Sequence, residues 1–142
     1  MKVSPARAAA YDALLRVERD AAFATEVLDA RLEALQKRAD TALATELTMG
    51  VLRCRRTLDF LIEQFAQRPA ESLDLEVLLA LRIGLYQLRF LSRVPVSAAV
   101  NESVELAKRA RKRSAARRPR AVRRRDVAHK SPNRSPCRRA RE

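Results

Sequence analysis

The chain has 142 residues, is 47% hydrophobic and 33% charged, contains two glycines and no tryptophan, and carries a formal net charge of +13. That length holds one domain with a tail, and the composition favours a helical body over a sheet or a disordered polymer, with no room for a nucleotide-binding domain of ordinary size beside it. No run approaches about 18 uncharged apolar residues, which excludes a membrane-spanning helix. The opening Met-Lys-Val-Ser-Pro-Ala-Arg lacks the apolar core of a signal peptide, so a cytoplasmic address is expected.

Ser4-Pro5 starts the first predicted helix, with serine as cap and proline at the first helical position. Ala8, Tyr11, Leu14 and Leu15 form its buried stripe, to about Arg19. A second helix is predicted over 25–37, with Val27 or Leu28, Leu32 and Leu35 inward. The third begins at Asp40 and carries Leu43, Leu47, Val51, Leu58, Leu61, Ile62 and Phe65 inward until Arg68-Pro69 stops it. It bends near Arg53–Thr57, where polar residues around Cys54 interrupt the stripe. Ser72 is read as the cap of a fourth helix over 73–91, apolar around most of its circumference and therefore central. A fifth opens at Ser97 after Pro95, with Ala99, Val100, Ser103, Val104 and Ala107 on one face and Glu102 and Glu105 pointing elsewhere. Gly50 and Gly84 lie inside helices, where each costs about 1 kcal/mol relative to alanine unless close helix–helix approach repays it. The expected fold is an all-α bundle of about five helices.

The charge is unevenly placed. Residues 108–142 hold 16 of the 30 Lys and Arg but 2 of the 17 acids, leaving residues 1–107 nearly neutral, with 14 basic and 15 acidic side chains. The aromatics end at Phe90. Residues 1–113 are therefore assigned to the helical domain and 114–142 to a basic, disordered tail.

Little catalytic chemistry is present. The one histidine, His129, has no partners at metal spacing, and no glycine-rich phosphate loop exists. The two cysteines, Cys54 and Cys137, are too few for a disulfide framework. Neither cofactor nor metal is expected. Three basic features remain. Arg82, Tyr86, Arg89 and Arg93 share one strip of the fourth helix, read either as a phosphate-contacting strip with a stacking ring or, with more weight, as arginines anchoring neighbouring helices through carboxylates. Lys2 and Arg7 would join Arg53, Arg55 and Arg56 in one basic surface if the helix ends that carry them meet. The arginine-rich tail binds any polyanion with strong salt dependence and poor selectivity.

Five stretches carry a family resemblance: Ser-Pro-Ala-Arg-Ala-Ala-Ala-Tyr-Asp-Ala-Leu-Leu from Ser4, Ala-Thr-Glu-Leu-Thr-Met-Gly-Val-Leu-Arg from Ala44, Leu-Asp-Phe-Leu-Ile from Leu58, Leu-Arg-Ile-Gly-Leu-Tyr-Gln-Leu from Leu81, and Val-Pro-Val-Ser-Ala-Ala-Val-Asn-Glu-Ser-Val-Glu-Leu-Ala-Lys from Val94. Together they cover most of residues 4–113. The body resembles the NusB-like RNA-binding family, most of all the N-terminal domain of bacterial 16S rRNA cytosine-C5 methyltransferases of the Sun/Fmu type. The resemblance implies a cytoplasmic module that binds RNA, rRNA first of all. Arg7 falls at the basic helix start that the family presents to RNA, and Leu81–Leu88 reads as family core. A stand-alone antitermination factor, binding RNA and a ribosomal protein, is the alternative; a passive body carrying a polycationic tail is a third reading.

The resemblance lapses after Ser114-Ala115-Ala116, where a Gly-Phe-Val-Asn-like run would open a last helix. Arginine-rich sequence stands there instead, read as translation in a shifted frame or, alternatively, as an evolved tail. Without that helix, an apolar stripe on helices one, four or five should lie exposed and favour self-association or low stability. The methyltransferase's cofactor domain has no counterpart in this sequence, and Pro136-Cys137, although it matches the nucleophile dipeptide of such enzymes, lacks the strand–loop–helix context. The chain is expected not to be an enzyme.

Overall fold

The computed structural model describes residues 2–117. Among them are six α-helices and no strand: α1 (Pro5–Asp20), α2 (Ala24–Leu32), α3 (Arg38–Arg53), α4 (Arg55–Ala66), α5 (Leu75–Phe90) and α6 (Val96–Arg117), with a 3-10 turn at Ala70–Ser72 between α4 and α5. The all-α class stands. The helix count rises from five to six because the expected bend is a break. Cys54 leaves helical geometry (φ −98°, ψ 13°), although its N–H still bonds Gly50 O at 2.9 Å and its carbonyl accepts from Leu58 N at 3.0 Å. The apolar stripe thus continues across the break. α3 lies against α1 and α5, and α4 against α5 and the 3-10 turn.

Helix ends depart from the sequence reading where tertiary contacts compete. α2 stops at Leu32, short of the expected Lys37. The chain then turns, with Leu35 N–H on Leu32 O at 2.9 Å, so that Leu35 reaches the small cluster of Ala6, Ala9 and Ala44. Ser72 does not cap α5. Its hydroxyl donates to Pro69 O at 2.6 Å within the 3-10 turn, and Asp74 stands at the helix start. Ser4 does precede α1, with proline following, but its hydroxyl accepts from Arg7 and its N–H bonds the Glu102 carboxylate at 2.9 Å.

α5 is central, packing on α1, α3, α4 and α6. The core joins Tyr11 and Leu14 of α1, Leu47 and Val51 of α3, Leu58 of α4, Leu79, Ile83 and Tyr86 of α5, and Leu106 of α6. Both glycines sit at tight packing. At Gly84 a Cβ would come within 3.0 Å of Ser103 Cβ, the close α5–α6 approach expected of it. At Gly50 the space is filled by a side chain, the Tyr86 ring.

α6 turns the expected face inward only in part: Ala99 is buried, Ser103 sits against Gly84 and Ala107 packs on the core. Leu106 and Ala110 are buried as well, and on this side of α6 Glu102 is paired with Arg7 at 3.1 Å. Val100 (43% exposed) and Val104 (48%) instead face solvent, as do Leu81 and Leu88 of α5. With Leu85 and Ala107 these residues line an open apolar cavity of about 450 Å³ between α5 and α6, with Lys108 and Arg111 on its rim. The expected exposed stripe therefore lies on α5 and α6. α6 runs to Arg117, past the expected end at 113; residues 118–142, His129 and Pro136-Cys137 among them, lie outside the described residues.

Tyr11 is 5% exposed, and its hydroxyl has no hydrogen-bond partner among the described residues. Burial, helped by the Glu76 carboxylate, pushes its pKa from 10.0 up to about 12. A raised folded-state pKa gives a contribution that is complete below pH 10 and lost as pH climbs toward 12, because the unfolded chain releases the proton first. Tyr11→Phe removes an unsatisfied buried hydroxyl. The variant should match or exceed the parent near neutral pH and lose less stability between about pH 10 and 12, as thermal melts across that range will check.

Candidate nucleic-acid interface

Arg7 points inward. It is 6% exposed; its Nε donates to Gln87 Oε1 at 2.7 Å, and its Nη1 reaches Ser4 Oγ at 3.0 Å and Glu102 Oε1 at 3.1 Å. These bonds tie the start of α1 to α5 and α6, so the guanidinium is already committed to protein acceptors. Lys2, five residues earlier, is exposed.

The α3–α4 break holds the other expected residues. Arg53, Arg55 and Arg56 are all exposed. Arg53 lies 3.9 Å from Glu46, and Arg55 lies 3.1 Å from Glu18 with its side chain half exposed. Arg56 forms no ion pair among the described residues. The partner of Arg55 fixes where this cluster sits. Glu18 is eleven residues along α1 from Arg7, about 16 Å of helix, so the break lies beside the C-terminal half of α1. The two halves of the expected basic surface are thereby placed at different ends of α1.

The α5 strip divides in the middle. Arg82 is 2% exposed and forks onto Asp59 of α4, Nε to Oδ1 at 2.7 Å and Nη2 to Oδ2 at 2.9 Å, with Glu18 of α1 at 3.3 Å from Nη1. A second tie between α1 and α5 joins Arg19 to Glu76. Tyr86 is also buried. Its hydroxyl donates to Glu46 at 2.6 Å, and burial together with that bond raises its pKa. Arg82 and Tyr86 serve the core, as the more heavily weighted reading had it, while Arg89 and Arg93 are exposed.

Phe60 was not singled out in the sequence. It is 56% exposed and stands four residues after Arg56 on α4, opposite the buried Leu58 and Ile62. The signal was present, since 56, 60 and 64 share a face that excludes 58 and 62. Phe65, expected inward, is 81% exposed because it falls in the last turn of α4, where the chain turns away at Gln67 in left-handed geometry. Among the described residues no group of His, Cys, Asp and Glu could hold a metal, and no helix is long and apolar enough to cross a membrane.

The NusB family profile matches residues 4–117. A probable ribosomal RNA small subunit methyltransferase B from Synechocystis is 42% identical over 107 residues, 72% of this chain and 23% of that protein. Its Bacillus subtilis counterpart is 31% identical over 109 residues, 76% of this chain and 24% of that protein. A transcription antitermination protein NusB from Idiomarina loihiensis is 42% identical over 71 residues, half of each chain. The fold also matches a chain in the solved structure "Crystal Structure of a Plectonemic RNA Supercoil", with TM-score 0.70 and 22% identity over 78% of this chain and 83% of that one. The chain spans about a quarter of the length of the methyltransferases it matches. From Ser4 to Arg117, this chain belongs to the NusB family.

Proposed function

We propose that this chain is an RNA-binding domain of the kind that begins rRNA small subunit methyltransferases, holding rRNA while contributing no catalytic group of its own. The observation that carries the reading is the cluster of exposed arginines at the α3–α4 break: Arg53, Arg55 and Arg56 lie within one turn, and one of them is unpaired among the described residues. Such a cluster neutralises phosphates and positions a nucleic acid without reading its sequence. Lys2, exposed at the opposite end of α1, would serve as a second, separate phosphate contact. Arg7 supports it indirectly, by holding the N-terminus in place. The methyltransferase-type reading is preferred to a stand-alone antitermination factor because the likeness to the former runs through 72–76% of this chain, against half for the latter.

Sedimentation of the full chain with a 16S rRNA fragment over a range of salt tests this. Replacing Arg53, Arg55 and Arg56 with glutamine should weaken binding and lower the slope of log K against log salt by about two to three. Unchanged affinity and slope would assign binding to the basic C-terminal sequence and remove the body from the proposal. The same runs without RNA report on the α5–α6 cavity. Residues 118–142 contain no Leu, Ile, Met or Phe, whereas a second copy brings the same apolar lining of Leu81, Leu88, Val100 and Val104, so a second copy is the better occupant. It should appear as a concentration-dependent dimer that Val104→Glu abolishes.

A further inference from the structure

We propose that the outer face of α4 is a stacking platform for an unpaired RNA base, with Phe60 as the ring and Arg56 as its flanking cation. The proposal rests on the RNA-binding reading above and deepens it, from phosphate attraction to recognition of single-stranded RNA. Phe60 exposes more than half of its surface on a helix that buries Leu58 and Ile62 on the opposite side. Arg56 lies one turn before it and Gln64 one turn after, both exposed, and side chains four apart on a helix are neighbours. The acids nearest this row are already engaged. Asp59 accepts two bonds from Arg82, and Glu63 accepts from Ala70 N–H at 2.9 Å. The row therefore presents an aromatic face, a cation and an amide, beside Asp59, whose charge Arg82 offsets, and Glu63, whose carboxylate is held toward Ala70 N–H.

That combination suits single strands and not duplexes. An unpaired base offers a π-face to the ring while the guanidinium meets the adjoining phosphate or stacks in turn. A duplex keeps its bases stacked on each other and offers the row only its backbone. Phosphate-binding arginines alone make no such distinction.

The chain has no tryptophan, so Phe60→Trp in the full chain places a single reporter on the row. An unstructured oligoribonucleotide should quench its emission at undiminished affinity, whereas a duplex of equal length and polyphosphate should not. Phe60→Ala, at a site open enough to spare the fold, should weaken single-strand binding about fivefold or more and leave duplex and polyphosphate binding unchanged. If the chain binds RNA but Phe60→Ala binds single strands like the parent, or the tryptophan is quenched equally by polyphosphate, the stacking proposal falls and the RNA-binding reading survives. If the parent binds no RNA at all, both fall.

Discussion

Arg82→Ala should be the most damaging single substitution in this domain, lowering stability by about 3–5 kcal/mol and the melting temperature by at least about 12 °C. The guanidinium is the meeting point of three helices, with two bonds to Asp59 of α4 and one to Glu18 of α1 from a position on α5. Its side chain is 3% exposed, and those of Asp59 and Glu18 are 24% and 13% exposed. Deleting it strands Asp59 without its main counter-charge and leaves Glu18 to Arg55 alone. Against a total of about 5–15 kcal/mol for a domain, such a loss leaves little. Arg82→Lys should rescue poorly, because an ammonium cannot reproduce the planar fork on Asp59. Arg82→Met with Asp59→Leu should recover much of the loss, because the cost lies in the uncompensated charge more than in the missing attraction. Thermal denaturation of the three variants by circular dichroism separates these outcomes. Equal losses in all three would mean that the bidentate fork on Asp59 itself, and neither uncompensated charge nor packing volume, governs the site.

The same residue shows how far the sequence could be read. The apolar residues around most of the circumference of α5 marked it as central, and from that followed the anchoring role that the structure displays for Arg82. What periodicity could not supply was the identity of the carboxylates, since Asp59 and Glu18 are 23 and 64 positions away. The α3–α4 break has a similar cause. Ala44, Leu47, Val51, Cys54, Leu58 and Ile62 follow one another at spacings of three and four, a pattern that a straight helix and two helices in phase satisfy equally. Arg7 and Glu102 mark the opposite limit. Each reads as a surface charge on its own helix, and they are drawn inward where α1 and α6 bring them within 3.1 Å. Glu102 thus faces α1 while Val100 and Val104 stay exposed, which no pattern within α6 could announce. Phe60 was legible in principle, as a ring on the polar side of an amphipathic helix, but only once the start of α4 is known does its face become certain.

Gly50→Ala should likewise destabilise, by about 1–3 kcal/mol, and its sign is the informative part. Gly50 lies inside α3, has ordinary helical φ and is buried. Helix propensity alone therefore favours alanine by about 1 kcal/mol. Packing says the reverse, because a Cβ there would overlap the Tyr86 ring at Cζ and Oη. A ring end can swing aside cheaply when it is free, and this one is not. Its hydroxyl holds Glu46 at 2.6 Å, its face leans on Phe90 with centroids 5.1 Å apart, and it is 2% exposed. Displacing it would break the bond to Glu46 and open space in the core. Tyr86→Leu, which lacks both overlapping atoms, should turn the Gly50→Ala step neutral or favourable, giving a coupling of at least about 1 kcal/mol in a double-mutant cycle. Should Gly50→Ala instead stabilise the parent, the ring must have room to yield, and the Tyr86–Glu46 bond would then be a passenger rather than the clamp that sets the distance between α3 and α5.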